Sequence, residues 1–263
     1  MTAKQNTILG TSFFLFLYII STVIFHDNFH DGWGYYKEKN YKQAHTIWLP
    51  LAEQGNARAQ FHMGKMYDQG EGVPQDYNEA FKWYELAAKQ GYGPSKHYIY
   101  QLAKKGVAPA LKVLTDQANN GVAEAQFHMG EMYDLGEGVP QDYNEAFKWY
   151  GLAAKQGYFS AQTHLGNMYD LGHGVSQDFN EAINRYRFAA NRGHAQAQFN
   201  LGVMFYKGRG VIQDYLLADI WFIRSSLQKN QEAFKYISLV EKLMSPQQRK
   251  KAQQMAKYWE RWD

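Results

Sequence analysis

The side chains best able to do chemistry in this chain are its nine histidines and its acids, because it contains no cysteine. Without a thiol there is no disulfide, no thiolate nucleophile and no thiolate metal site. His26 and His30 stand four apart beside Asp27 and Asp31, so one helical face could offer zinc two imidazoles and a carboxylate. A closed zinc site takes four ligands, and a polar segment at a membrane boundary accounts for the same residues. His62, His128 and His164 fall on one repeated position, which Asn200 takes in the last copy. Adjacent helices pack about 8–10 Å apart, too far for ordinary shared ligation, so these histidines read as a polar helix face. The acids Asp68, Glu71 and Asp76 recur as Asp134, Glu137 and Asp142, but their spacing is not that of a calcium loop. No GxSxG, HExxH or Walker-type pattern is present. The expectation is a chain that is not an enzyme, with no catalytic residue, no cofactor and no metal site.

The elements that carry these residues are set by repetition. Residues 60–92 recur as 126–158 with three changes: Lys65 to Glu131, Gln69 to Leu135 and Glu85 to Gly151. The marker glycines Gly64, Gly130, Gly166 and Gly202 are spaced by 66, 36 and 36 residues, so one shortened unit follows the first full one. Periods of this size indicate stacked helix pairs. In each unit a first helix A, about Ala57 to Asp68, places Ala59, Met63, Met66 and Tyr67 on one side. Glycine inside a helix costs about 1 kcal/mol against alanine, so its return in four units predicts close approach there. A Gly-Glu-Gly-Val-Pro loop breaks the helix at Gly70 to Pro74. Helix B follows, with Asp76 as N-cap and Glu79 completing a capping box, repeated as Asp142 with Glu145 and Asp178 with Glu181. Its apolar stripe is Tyr77, Ala80, Phe81, Tyr84, Ala87 and Ala88, and Gly91 ends it.

The fold class expected is all-α: a right-handed α/α solenoid of helix-turn-helix repeats preceded by one apolar N-terminal helix. Full units span about 56–91, 122–157, 158–193 and 194–230, with a shortened unit at 92–121. Capping helices occupy 31–55 and 231–263, the latter opening on Ser245-Pro246-Gln247-Gln248 and running to Trp262. Residues 8–25 carry no charge and follow Lys4, with no Lys or Arg again until Lys37. At about 1.5 Å per residue such a run nearly crosses a bilayer core of roughly 30 Å. It reads as a signal anchor within 1–30 that leaves the repeats in the periplasm, or periplasmic or secreted if it is cleaved. The formal net charge of +3 is spread along the chain, so no nucleic-acid partner is implied.

The string from Ala59 to Gly91 resembles the Sel-1-like repeat, a relative of the tetratricopeptide repeat. Ala59, Met63, Gly64, Tyr67, Gly70, Gly72, Val73, Asp76, Ala80, Trp83, Tyr84, Ala87, Ala88 and Gly91 fall on positions that motif uses. Arg185 replaces the tryptophan in the third copy and Phe205 the tyrosine in the fourth. The resemblance implies an adaptor in multiprotein assemblies, here at the cell envelope, binding an unidentified protein or peptide. It leaves open a regulator of envelope signalling or polysaccharide production. A third alternative is a cell-wall or β-lactam hydrolase like some cysteine-rich relatives, whose cysteines are absent here. If helix A presents an outward stripe, the partner-binding candidates are Arg58, His62, Lys65 and Gln69; Glu124, His128, Glu131 and Leu135; Ser160, His164, Asn167 and Leu171; and Gln196, Asn200, Val203 and Lys207. Two of the three differences between the near-identical copies lie on it. Exposed positions also drift freely, within about 0.5 kcal/mol.

Overall fold

The computed structural model describes residues 29–258, so residues 8–25, His26, Asp27 and Trp262 lie outside the described residues. Helix α1 covers residues 29–37. Then come α2 (Tyr41–Glu53), α3 (Ala57–Gln69), α4 (Tyr77–Lys89), α5 (Gly93–Lys104), α6 (Ala108–Asn119) and α7 (Ala123–Leu135). They are followed by α8 (Tyr143–Lys155), α9 (Phe159–Leu171), α10 (Phe179–Ala190), α11 (Ala195–Lys207), α12 (Tyr215–Ser226) and α13 (Gln231–Val240). A short 3-10 turn (Glu241–Leu243) leads into α14 (Pro246–Lys257). No strand occurs among the described residues. Two compact units divide within α6, after Lys112. In the first, α1 to α4 enclose a core around Trp48, Ala59, Met63 and Met66. In the second, successive pairs from α7 to α12 stack in order and α13 and α14 cover the last of them.

The recurring glycine is the joint of each pair. A Cβ built on Gly64 would lie 2.6 Å from the ring of Tyr84 in the partner helix, and the same contact repeats at Gly130 with Tyr150 and Gly166 with Tyr186. The close approach is therefore between helix A backbone and a buried ring, not between two backbones. Gly32 abuts Trp48 in the same way, so α1 and α2 form a pair of the same construction. Phe29-His30-Asp31-Gly32 repeats Phe61-His62-Met63-Gly64 at an interval of 32 residues, and Phe29, stacked 5.4 Å from Trp48, already lies in the core. Two glycine-to-alanine changes in neighbouring helices should therefore have opposite signs. Gly130→Ala drives a methyl into Tyr150 and is expected to destabilise by about 2 kcal/mol. Gly151→Ala, where nothing lies within 4 Å, should stabilise by about 1 kcal/mol. Urea unfolding of both variants checks this.

The loop after helix A is held at both ends. Gly70, Gly136, Gly172 and Gly208 close the helices in the left-handed conformation. Gln75, Gln141, Gln177 and Gln213 donate to the carbonyl two residues before that glycine. Asp76, Asp142 and Asp178 cap helix B through bonds from two backbone N–H groups each. The capping box expected there is only half formed. The N–H of Asp76 already donates to Tyr67 O, so Glu79 is left to pair with Lys82 at 2.7 Å. Glu145 likewise pairs with Lys148, and Glu181 with Arg185. The box at Ser245 and Gln248 has both bonds.

A second connection ties each pair to the one before it. Gln60, Gln126, Gln162 and Gln198 are buried, and each donates from Nε2 to the carbonyl eight residues earlier, near the end of the preceding helix. Their Oε1 atoms accept from Gln90, Gln156, Arg185 and Gln228. Buried amides are tolerated because their hydrogen-bonding capacity is used.

Candidate partner-binding face

In the second unit the A helices α7, α9 and α11 line one face and touch one another through it. His164 lies 5.4 Å from Phe127 and 3.8 Å from a carboxylate oxygen of Asp134. Asn200 Nδ2 donates to Asn167 Oδ1 at 2.8 Å. The expected stripe runs along this face. Leu135 and Leu171 are its most prominent apolar members, 60% and 56% exposed, and Gln196 and Lys207 are also exposed. Glu124, His128, Glu131, Ser160, His164, Asn167, Asn200 and Val203 are half-buried. In the first unit Arg58 and Gln69 are exposed and Lys65 half-buried.

His62 departs from this pattern. It is 6% exposed, among the rings of Phe29, Trp33, Tyr36, Trp48 and Phe61 at 4.7–6.1 Å. Burial, then the positive charges of Lys65 and Arg58, push its pKa down to about 4. A neutral, enclosed imidazole does not belong to an outward polar face. The expectation fails because α1, whose residues pack on helix α3, supplies the rings that cover it.

The loop and last-turn acids are used structurally. Asp68 pairs with Lys105 at 2.7 Å and Asp170 with Arg209 at 2.9 Å, in each case reaching the loop of the next pair. Glu71 accepts from the Tyr36 hydroxyl at 2.6 Å. Tyr84 donates to Asp68 and Tyr150 to Asp134 across the glycine joint. Burial, then the charge of the aspartate, holds both phenols well above their ordinary pKa. In the fourth copy Tyr206 replaces the aspartate and Phe222 the tyrosine: acceptor and donor disappear together, so no buried hydroxyl is left without a partner. The third copy is different again, because Tyr186 donates to Asn167 at 2.7 Å instead. Asp170 Oδ1 is consequently buried without a hydrogen-bond partner, as is Arg209 Nε beside it.

Those two residues line a cavity of about 410 Å³ with Asn167, Tyr186, Phe199, Asn200, Val203, Glu232, Lys235 and Tyr236. It contains three of the sixteen stripe positions. Asp170, Arg209 and the α13 residues were not anticipated; the break from the His pattern at Asn200 was the signal that this part of the face differs. Among the described residues no three His, Asp or Glu side chains are grouped to hold a metal ion. His30 and Asp31 are exposed on α1.

A model of the Sel1 repeat matches residues 57–92, 123–158, 159–194 and 195–230. This chain belongs to the Sel1 repeat family. A crystal structure of a Sel1 repeat protein from Oxalobacter formigenes is 32% identical, with a TM-score of 0.56 over 90% of this chain and 99% of that one. A protective antigen of uropathogenic Escherichia coli is 25% identical, with a TM-score of 0.54 over 92% of this chain and 55% of that one. Among curated proteins, sel-1 homolog 2 of Rattus norvegicus is 32% identical over 45% of this chain, which spans 13% of that protein's length. An exopolysaccharide production negative regulator of Rhizobium leguminosarum is 32% identical over 49% of this chain and 56% of its own length.

Proposed function

We propose that this Sel1 repeat protein is a protein-binding adaptor of the cell envelope, tethered through residues 8–25, with the A-helix face of its second unit as the contact surface for a protein or peptide. The observation that carries the reading is the character of that face. It sets exposed leucines at Leu135 and Leu171 beside polar and charged side chains on a scaffold whose other conspicuous residues are already engaged in holding the pairs together. Stacked repeats present extended surfaces of this kind, and the repeat-to-repeat differences supply specificity. The likeness to an exopolysaccharide production negative regulator supports a regulatory version of the same adaptor. Among the described residues no helix is long and apolar enough to cross a membrane, so the tether rests on the apolar run alone.

The test is cross-linking of the full chain in its native envelope. Changing Leu135 and Leu171 together to aspartate should abolish recovery of the cross-linked partner, while changing the exposed Lys82 and Lys148 to glutamate on the B helices should leave it intact. Equal recovery from both variants would place the contact elsewhere. Deleting residues 8–25 should release the protein from the membrane fraction.

A further inference from the structure

The cavity between α9, α11 and α13 has a hydrogen-bonding pattern that selects one class of ligand group. Asn167 Oδ1 accepts from the Tyr186 hydroxyl at 2.7 Å and from Asn200 Nδ2 at 2.8 Å. Two donors on one carbonyl fix the orientation of the amide, so the Asn167 NH2 must point away from them. Asn200 is fixed in the same way, its Oδ1 accepting from Gln196 at 2.9 Å. Asn200 also donates to the Tyr186 oxygen, so the amide donor left without a protein acceptor among the described residues is the Asn167 NH2. On the other side, Asp170 is 7% exposed, and its Oδ1 has no hydrogen-bond partner. Glu232 adds a second carboxylate to the lining.

The charges of the lining cancel. Asp170 is matched by Arg209 in a 2.9 Å pair, and Glu232 is three residues from Lys235 on the same helix. A site with no net charge and with donors and acceptors side by side suits a neutral group that can both accept and donate. The third wall, Phe199 and Tyr236 with rings 5.1 Å apart, is aromatic and would cover apolar atoms attached to that group. This constellation occurs once. The position of Asn167 holds Lys65, Glu131 and Val203 in the other full copies, and that of Asn200 holds His62, His128 and His164.

We propose that this cavity is a carboxamide-binding subsite, in which Asn167, held in orientation by Tyr186 and Asn200, donates to the carbonyl of the ligand amide and a carboxylate of the lining accepts its N–H. The group is supplied by the main chain of an extended peptide or by a glutamine or asparagine side chain. The inference rests on the reading of the A-helix face as the partner surface, and it narrows what that surface recognises at one point.

The test uses the full chain, isotope-labelled, and four capped single-residue or two-residue probes: acetyl-glutamine methylamide, acetyl-diglycine methylamide, acetyl-glutamate methylamide and acetyl-norleucine methylamide. Binding of the glutamine probe, with shifts at the Asn167 and Asn200 side-chain amides, is expected. Norleucine and diglycine binding as well as glutamine assigns the group to the main chain, which all the probes carry; glutamine binding more tightly than both assigns it to the side chain. Asn167→Asp keeps an acceptor for Tyr186 and Asn200 but removes the outward NH2, and should weaken the probe about tenfold. Asn167→Val, with the residue found at Val203, should do the same without adding charge. Tighter binding of glutamate than glutamine, no binding of any probe, or no effect of either variant would overturn the subsite. Loss of probe binding in Asn167→Val while the cross-linked partner is still recovered would confirm a local subsite. Loss of both in the leucine double variant concerns the face as a whole.

Discussion

Replacing Asp219 by isoleucine is expected to stabilise the second unit by about 4 kcal/mol near pH 8 and by far less near pH 4. Asp219 sits on α12 at a position held by Phe81, Phe147 and Ile183 in the other full copies. It is fully buried, and neither carboxylate oxygen has a hydrogen-bond partner. Burial, and after it the charge of Glu241, pushes its pKa up to about 7. A carboxylic acid whose folded pKa exceeds its unfolded value destabilises the fold as it ionises. Stability is greatest below about pH 4, where both states are protonated, and falls as pH rises through about 7, above which both have lost the proton. At about 1.4 kcal/mol per tenfold change in proton affinity, the rise from the ordinary carboxyl value of 3.8 to about 7 sums to roughly 4 kcal/mol. Isoleucine removes that dependence, so the gain over wild type should grow across this window and level off above it. Urea unfolding at several pH values reads the difference directly, and a gain independent of pH would show that the carboxylate is not its source.

Much of the fold was legible because its determinants are local and repeated. Helix periodicity, the loop glycines and the capping aspartates place the two helices of the first full unit to within a residue or two, since each signal acts within a few positions. What escaped was long-range. The partner of the marker glycine is a tyrosine twenty residues on, so spacing showed that something comes close without showing what. The buried glutamines were invisible because glutamine is ordinarily a surface residue; only the carbonyl eight positions earlier explains them. The capping box failed on one competing bond, from the Asp76 N–H to Tyr67. The pair formed by α1 and α2 carried a readable signal in Phe29 to Gly32, but its loop lacks the Gly-x-Gly-Val element that marked the other units.

The candidate site shows the same limit. Its A-helix face followed from helical spacing, but the cavity depends on Arg209 and α13 meeting residues some forty and seventy positions earlier. A single repeat contains none of that information. Where function depends on differences between copies, the informative residues are those that break the repeat, and Asn167, Asn200 and Asp219 all do.

His62 provides the second large effect, with the opposite pH sign. In the first unit its pKa is pushed down to about 4 from 6.5, so the folded state holds the imidazole neutral while an unfolded chain would protonate it. Stability attributable to this group is full above about pH 6.5, falls as pH drops toward about 4, and is constant below. The sum over the window is about 3 kcal/mol. His62→Phe keeps a ring among the rings of Phe29, Trp33 and Trp48 and cannot titrate. Relative to wild type, the variant should therefore gain about 3 kcal/mol in the first unit between pH 7 and pH 4, read by hydrogen exchange at the amides of α2 and α3. If His62→Phe gained nothing over this range, the enclosed imidazole would not be the group that titrates. If the gain appears, the aromatic covering supplied by α1 is what converts a repeated helix-face histidine into a core residue; at the same repeat position His128 is only half-buried and bonded to Glu131 at 2.7 Å. The joint between the first two pairs would then be weakened by acid.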